Sequence, residues 1–394
     1  MSDPASPAMP VPNSPAASSP SAQSASAAQS FDIAVIGGGA GGLAASIALA
    51  RSLRSVVVID AGQLRNESSA HAHNVLGNEG INPRDLIAKG RAEAEEYGVT
   101  FIDATVADVR RLEPTDTATG EADRLNEAAP GHRFELTTSA GAQISARRII
   151  IATGSSDELP DVPGLAEGWG ETVLHCPYCH GYEVRGQRIG VIGSTAMSYH
   201  QAMLFSQLSN RVTFIRHDAP APDAQQTAML ESLGIEYVDA TVTEVARVGA
   251  ESVVSLEPAD AFAGSDTADN DDIVGTVDVA GAATTGTVDA AETADAAAAG
   301  ATDAANEIVF DALTVGAYAR ANAELFTQLG GEVVEHPSGM GSFIPTQMGG
   351  QTDVPGVWAV GNGADISAMV VASAASGVLT GAQVNADLIM ESLD

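Results

Sequence analysis

The chain has two cysteines, and they stand three apart in His175-Cys176-Pro-Tyr-Cys179-His180. Thiols at that spacing can close a disulfide across one tight turn, so the leading reading is a redox dithiol. A helix opening at the turn would lower the pKa of the first thiol and favour exchange with other disulfides. Three further readings stay open on these residues. Cys-x-x-Cys-His is also the c-type haem attachment pattern, and two His with two Cys can bind zinc, although adjacent pairs suit a tetrahedron poorly. The cysteines can also simply pack as small apolar groups. His180 titrates near neutrality and stands beside the pair, where it can carry thiol protons. His71 and His73 sit in a polar stretch and read as solvated.

A second group of residues points to a nucleotide. Gly37-Gly-Gly39-Ala40-Gly-Gly42 follows the apolar run Phe31–Ile36 and opens a small, apolar, helically spaced stretch from Gly41 to Leu53. Gly37 permits a tight turn, Gly39 lets the backbone approach a pyrophosphate, and Gly42 lets the helix pack on the strand. The helix N-terminus adds free N–H groups. Asp60, 18 residues past Gly42 at the end of the strand Ser55–Asp60, suits an adenosine ribose. A later turn, Gly190-Val-Ile-Gly193-Ser-Thr195-Ala-Met-Ser198, keeps only Gly193, and side chains there would crowd a pyrophosphate. Its next strand ends in Arg216-His217-Asp218, a cation beside an acid, so this unit reads as one kept for structure. Near the end, Gly361-Asn362 closes a strand ahead of a helix over 367–390. Asn362 can hold a ribityl hydroxyl there, and the helix dipole can stabilise negative charge on a reduced isoalloxazine.

The elements around these motifs form two βαβ units, 31–60 and 188–215, the second with a helix near 197–209. Between them lie a helical pattern at 83–97, alternating strands over 100–150 with a polar loop at 113–131, and a buried strand Arg148–Ala152 ending at Thr153-Gly154. Pro160–Gly164 reads as a linker. Residues 1–30 are mostly Ser, Ala, Pro and Gln and read as a disordered tail. The stretch between Glu251 and Phe310 has many acids and no base, and 258–305 reads as an acidic low-complexity insertion, with regular patterning resuming at Ile308. What remains suits about two domains of ~100–200 residues each. The net charge of −33, from 51 acidic and 18 basic residues, repels nucleic acid and anionic lipid. No apolar run reaches the ~18 residues of a membrane span. The first 30 residues lack the Lys, Arg and apolar block of a secretory signal. A cytoplasmic, reducing compartment is therefore expected, which also weighs against haem attachment.

In this order the motifs resemble the thioredoxin-reductase-like, FAD-dependent pyridine nucleotide-disulfide oxidoreductases, from about Phe31 to Leu393 apart from the insertion. Cys-Pro-Tyr-Cys-His-Gly-Tyr-Glu, with Arg65-Asn66, His71-Ala-His73-Asn74-Val-Leu-Gly77 and Met197–Ala202, is similar to the branch that oxidises dithiols of gliotoxin- and holomycin-type metabolites. The resemblance implies an α/β fold of two Rossmann-like three-layer domains. The FAD domain is 31–156 with 315–394, an NAD(P)-binding-like domain is inserted at 157–314, and the protein is a homodimer. It implies Cys176, Cys179 and His180 as catalytic residues and no metal. FAD is expected on Gly37, Gly39, Ala40, Gly42, Asp60, Gln63, Asn74, Val106, Ala152, Thr153, Gly154, Gly361 and Asn362. The activity implied is oxidation of a dithiol, on a small molecule or a thioredoxin-like protein, with oxygen reduced to peroxide. The alternatives are an NAD(P)H-dependent thioredoxin-disulfide reductase and a flavin-binding redox sensor. Reductases carry a glycine-rich turn and a basic cluster where this chain has Gly193–Ser198 and Arg216-His217-Asp218, which speaks against NADPH. They also carry an acid at His180, Asp at Asn362 and Gln at Met369.

Overall fold

The computed structural model of the chain describes residues 29–112, 133–258 and 306–393. The expected tail, polar loop and acidic insertion lie outside the described residues, apart from Gln29, Ser30 and Pro258. The tail expectation ran two residues too far. Gln29 and Ser30 already belong to β1 (Gln29–Ile36), because β6 (Gln143–Ile151) is long enough to pair with them through Ile144 and Ser145.

Between these strands come α1 (Ala40–Ala50), β2 (Val56–Asp60), α2 (Pro83–Glu96), β3 (Thr100–Asp103), β4 (Val106–Leu112) and β5 (Arg133–Thr138). The order β3-β2-β1-β6 is parallel, and β5 and β4 continue from β6 as an antiparallel meander. The burial pattern of β6 follows from its neighbours. Its first half alternates beside β5, while Arg148–Ile151 are buried without a break, as a strand covered on both faces requires. Ile33, Val35, Val56 and Val58 face helices α1 and α2, whereas Ala34, Ile36, Val57 and Ile59 face Phe134 and Leu136 of the meander. Strand and helix ends have local causes. Asn82 caps α2 by accepting from the Arg84 N–H at 2.9 Å, with Pro83 in the first turn, where a missing N–H costs nothing.

The same plan recurs. After β7 (Ser155–Glu158) come β8 (Val173–Leu174), α3 (Pro177–His180), β9 (Ile189–Ile192), α4 (Ser198–Ser206), β10 (Val212–Ile215), α5 (Ala224–Leu233) and β11 (Glu236–Val238). A meander follows, β12 (Ala240–Val248), β13 (Glu251–Pro258) and β14 (Glu307–Phe310), and then β15 (Ala312–Val315). The parallel order is β11-β10-β9-β15-β8. Tyr199, Phe205 and Leu230 cover one face, and Val242, Val254 and Leu256 cover the other. The acidic run therefore starts later than its charges suggest: Glu251–Pro258 is a strand, with Ser252, Val254 and Leu256 buried at period two.

The chain returns through β16 (Tyr318–Ala321), which pairs antiparallel with β7 as a two-stranded ribbon between the two sheets. Beyond α6 (Glu324–Gln328) and the small hairpin β17 (Val334–Glu335) and β18 (Ser342–Phe343), β19 (Val357–Ala359) joins the second half of β6 in parallel. The last helix, α7 (Val370–Glu391), crosses α1 where a Cβ on Gly377 would strike the Gly41 carbonyl. Its end is tied down by Glu391, which pairs with Arg147 and, at 3.1 Å, with the buried Arg148. The fold is mixed α/β with two parallel, Rossmann-like sheets. No described helix is long and apolar enough to cross a membrane.

Candidate functional site

The carboxyl ends of β1, β6 and β19 meet, and that edge is where open α/β sheets bind ligands. Gly37, at φ +106°, lies so close to the Ala152 carbonyl that any side chain would strike it. Gly42 is pressed in the same way against the Gly37 carbonyl, so α1 sits tightly on the strand turn. Gly39 caps α1, and a Cβ there would meet nothing within 4 Å. Ala40 is the first residue of the helix. Two glycines thus close the turn and the third faces open space, which fits a pyrophosphate above a helix N-terminus. Asp60 Oδ1 accepts the Gly38 N–H at 3.0 Å, fixing the carboxylate at the β2 end. The Ala104 N–H donates to the Asp60 carbonyl at 2.9 Å and leads the chain to Val106, buried at the start of β4. Gln63 is exposed beyond β2.

Thr153 and Gly154 follow β6, and a residue far along the chain holds them. Asn322, just past β16, donates its backbone N–H to the Gly154 carbonyl at 3.0 Å and its side-chain amide to Thr153 at 3.1 Å. The Thr153 hydroxyl donates back to the Asn322 carbonyl at 2.6 Å. Gly361, at φ +66°, opens a short turn that brings Gly363 to within van der Waals range of Gly154. The Asn362 amide nitrogen donates to the Ala368 carbonyl at 2.9 Å, which braces the turn before α7 and leaves the amide oxygen for a hydroxyl donor.

Cys176 and Cys179 form a disulfide with Cα atoms 5.2 Å apart. Cys176 caps α3, and its sulfur accepts the Cys179 N–H at 3.2 Å. The zinc and inert-packing readings need metal-bound or free sulfurs and the haem reading needs thioethers, so the disulfide favours the redox reading. Among the described residues no group of three or more His, Cys, Asp or Glu is placed to hold a metal.

The loop after β2 reaches across to this helix. The Asn74 amide, on a residue at φ +60°, donates to the Tyr178 carbonyl at 2.8 Å, and His180 Nε2 lies 2.9 Å from the Ser69 hydroxyl. His73 is not a solvated loop residue: it sits between Glu79 at 2.8 Å and Glu183 at 3.5 Å. His71 is exposed, with Nδ1 3.0 Å from the Gly80 carbonyl. Burial pushes the His180 pKa below its ordinary value; Glu183 opposes this and His73 adds to it. The loop also grips the cofactor side. Arg65 forks onto Asp157 at 2.5 Å and reaches the Ile366 carbonyl, which the Asn362 amide also contacts. One loop therefore links the disulfide helix to the Gly361-Asn362 turn. Ser69 escaped sequence reading because its role rests on a partner 111 residues away.

The second glycine turn has a different interior. The Ser198 hydroxyl accepts the N–H groups of Ser194 at 3.1 Å and Thr195 at 3.3 Å. The Thr195 hydroxyl points to the Met340 sulfur at 3.1 Å, and the Ser194 hydroxyl donates to the Gly316 carbonyl at 3.0 Å. Arg216 is buried on Asp239. His217 is buried at φ +48°, and its Nδ1 accepts the Val242 N–H at 3.2 Å.

A model of the pyridine nucleotide-disulphide oxidoreductase family matches residues 31–265, more than half of the chain. The chain belongs to that family. Its FAD is the cofactor that the first glycine cradle fits. This oxidoreductase is 35% identical to "Thioredoxin reductase tcpT" of Claviceps purpurea over 188 residues, 46% of this chain and 54% of that one. It is 34% identical to "Thioredoxin reductase aclD" of Aspergillus oryzae, over 48% of this chain and 57% of that one. The chain thus spans about half the length of these curated relatives. Among solved structures, HlmI is 33% identical with a TM-score of 0.69, covering 92% of this chain and 94% of that one. An oxidoreductase from Agrobacterium tumefaciens is 27% identical with a TM-score of 0.71.

Proposed function

We propose that the protein is an FAD-dependent dithiol oxidase working through Cys176 and Cys179. One observation carries the choice of direction: the flavin cradle and the disulfide are complete, whereas the second nucleotide turn is filled by its own hydroxyls. A pyrophosphate needs the Ser194 and Thr195 amides, and Ser198 already occupies them. A 2′-phosphate needs a presented cation, and Arg216 is spent on Asp239. Electrons must then enter from a thiol substrate.

The steps on this chain balance as follows. One substrate thiolate attacks Cys176 Sγ, the Cys176–Cys179 bond breaks, and Cys179 leaves as a thiolate. The second substrate thiolate attacks its partner sulfur on Cys176, closing the substrate disulfide and releasing the Cys176 thiolate, which the Cys179 N–H is already placed to stabilise. Two electrons pass from substrate to the cysteine pair, and His180 carries the thiol protons. Bound FAD supplies the electron acceptor for the reduced pair and the route to oxygen, which leaves as hydrogen peroxide. FAD contacts would come from Gly37, Gly39, Ala40, Gly42, Asp60, Gln63, Val106, Ala152, Thr153, Gly154, Gly361 and Asn362. Asn74, with its amide on Tyr178, joins that set at the disulfide end.

The substrate in this reading is a small-molecule dithiol or a thioredoxin-like protein. The exposed apolar residues of α7, among them Val378, Leu379 and Met390, support a homodimer. The domain division 31–156, 157–314 and 315–394 puts its first joint within β7, while its second cuts β15 one residue early, since Val315 still pairs with Ile192 in the second sheet; a two-cysteine chain suits the cytoplasm. The names of tcpT and aclD favour a second reading, a thioredoxin reductase fed by NAD(P)H. Anaerobic stopped-flow separates the two. Dithiol should bleach the flavin and nicotinamide should not; rapid bleaching by micromolar NADPH or NADH would defeat the oxidase assignment.

A further inference from the structure

His180 and Ser69 belong to different parts of the fold, the disulfide helix and the loop after β2, and they meet at 2.9 Å. The serine is buried, 7% exposed, and its hydroxyl donates to the His71 carbonyl at 2.7 Å. A serine hydroxyl has one proton to give. With that proton on His71, the Ser69 oxygen can only accept from His180, so the imidazole must carry its hydrogen on Nε2. The other ring nitrogen, Nδ1, is then a bare lone pair. It is buried, and among the described residues it has no hydrogen-bond partner.

We infer that Ser69 is a positioning residue: held by the His71 carbonyl, it locks His180 in the Nε2–H tautomer and leaves Nδ1 as the atom that takes the thiol proton. This inference deepens the oxidase reading and rests on it. The base is complete only while the disulfide helix is docked on the loop, because its second half comes from the other side of that junction. The same docking is held by Asn74 on the Tyr178 carbonyl and His73 on Glu183. The titratable groups facing His180 are Glu183 on its own turn and His73 on the opposing loop. Neither makes a hydrogen bond to Nδ1, so neither sets the tautomer.

Nitrogen NMR of the flavin-loaded full chain, labelled at histidine, tests this without turnover. The His180 signals are those missing from His180→Gln. The wild type should show a protonated Nε2 and a bare Nδ1. Ser69→Ala should show a mixture of tautomers, and Ser69→Thr, which keeps the hydroxyl, should restore the single form. In parallel, anaerobic flavin reduction by dithiothreitol should slow roughly tenfold at pH 7 in Ser69→Ala and recover in Ser69→Thr. The acid limb of that rate should move to lower pH in the alanine variant, since the imidazolium loses an acceptor. An Nδ1–H tautomer in the wild type, or a Ser69→Ala protein with unchanged spectrum and profile, overturns the assignment. Should either variant fail to fold, the wild-type spectrum still decides. If dithiothreitol leaves the wild-type flavin yellow, the oxidase reading falls, while the nitrogen spectrum judges the tautomer separately.

Discussion

The Ser198 hydroxyl oxygen receives the Ser194 backbone N–H at 3.1 Å, and so fills with protein the place where a nucleotide phosphate would bind. The Thr195 amide adds a second bond to the same oxygen. A phosphate would have to displace both, and the arginine at the end of the next strand, Arg216, is buried against Asp239. NADPH should therefore bind with a Kd above about 1 mM, weaker than about 4 kcal/mol of binding. Ser198→Ala alone should not restore binding, since it frees the amides but leaves Arg216 turned inward. Titration calorimetry of the two proteins checks this, and micromolar binding by the wild type would contradict it.

The three glycines of the first turn should separate when each is changed to alanine. At Gly39 the new methyl meets open space, so the fold should lose less than about 1 kcal/mol, the scale of an N-cap change. The methyl then intrudes where the pyrophosphate must approach, so flavin affinity should drop at least about tenfold. Gly42→Ala instead drives into the Gly37 carbonyl and should give an unstable protein whatever the flavin supply. Thermal unfolding with and without added FAD distinguishes the two. A Gly39→Ala protein that purifies fully yellow would refute the cradle assignment.

The legible parts of the chain were those in which neighbouring residues determine the outcome. The glycine turns, β2, α2 and the Cys-x-x-Cys disulfide depend on local spacing, and they stand where spacing places them, as does β1 from Phe31 onward. The misread parts depend on residues far along the chain. Glu251–Pro258 opens the base-free acidic stretch that runs to Phe310, yet Ser252, Val254 and Leu256 alternate inward and the strand pairs with β12 and β14. His73 sits in a polar stretch whose composition suggests solvation, and only the fold sets it between Glu79 of its own loop and Glu183 of another element. Asn322 and Ser69 carry no local signal, since a single Asn or Ser forms no pattern with its sequence neighbours. At the second glycine turn the sequence shows side chains that crowd a pyrophosphate. The structure gives a further cause in the hydrogen bonds those side chains make to the turn's own amides.

The acid limb of thiol exchange should lie below pH 6.5, the ordinary value for histidine. Burial disfavours the charged form of His180, so the neutral base survives to lower pH. The neighbours fix the direction of each variant. Glu183 raises this pKa, so Glu183→Gln should move the limb further down. His73 lowers it, so His73→Ala should move the limb up. Rates of anaerobic flavin reduction by dithiol between about pH 4.5 and about pH 8.5, roughly two units either side of histidine's value, read all three. Shifts in the opposite sense would mean that another group sets the limb.

Glu391 should be the residue through which acid loosens the last helix. Its carboxylate binds Arg147 and Arg148, and Arg148 is 3% exposed. Burial alone would raise the Glu391 pKa, but hydrogen bonds and charge from the two arginines outweigh it and hold the carboxyl below its ordinary 4.5. A carboxyl depressed in the folded state adds stability above its unfolded pKa, and that contribution disappears as pH falls through the lower folded value. Glu391→Ala should cost about 3 kcal/mol at neutral pH, because it leaves the buried Arg148 guanidinium with one carboxylate, Asp387, and the Arg147 carbonyl. The same substitution should flatten the acid dependence of stability, since the titrating group is gone. Urea unfolding followed through Trp358, in the strand beside α7, measures both effects at pH 7 and pH 4. A loss of stability that is equal at the two pH values would show that Glu391 packs the helix end without its charge mattering.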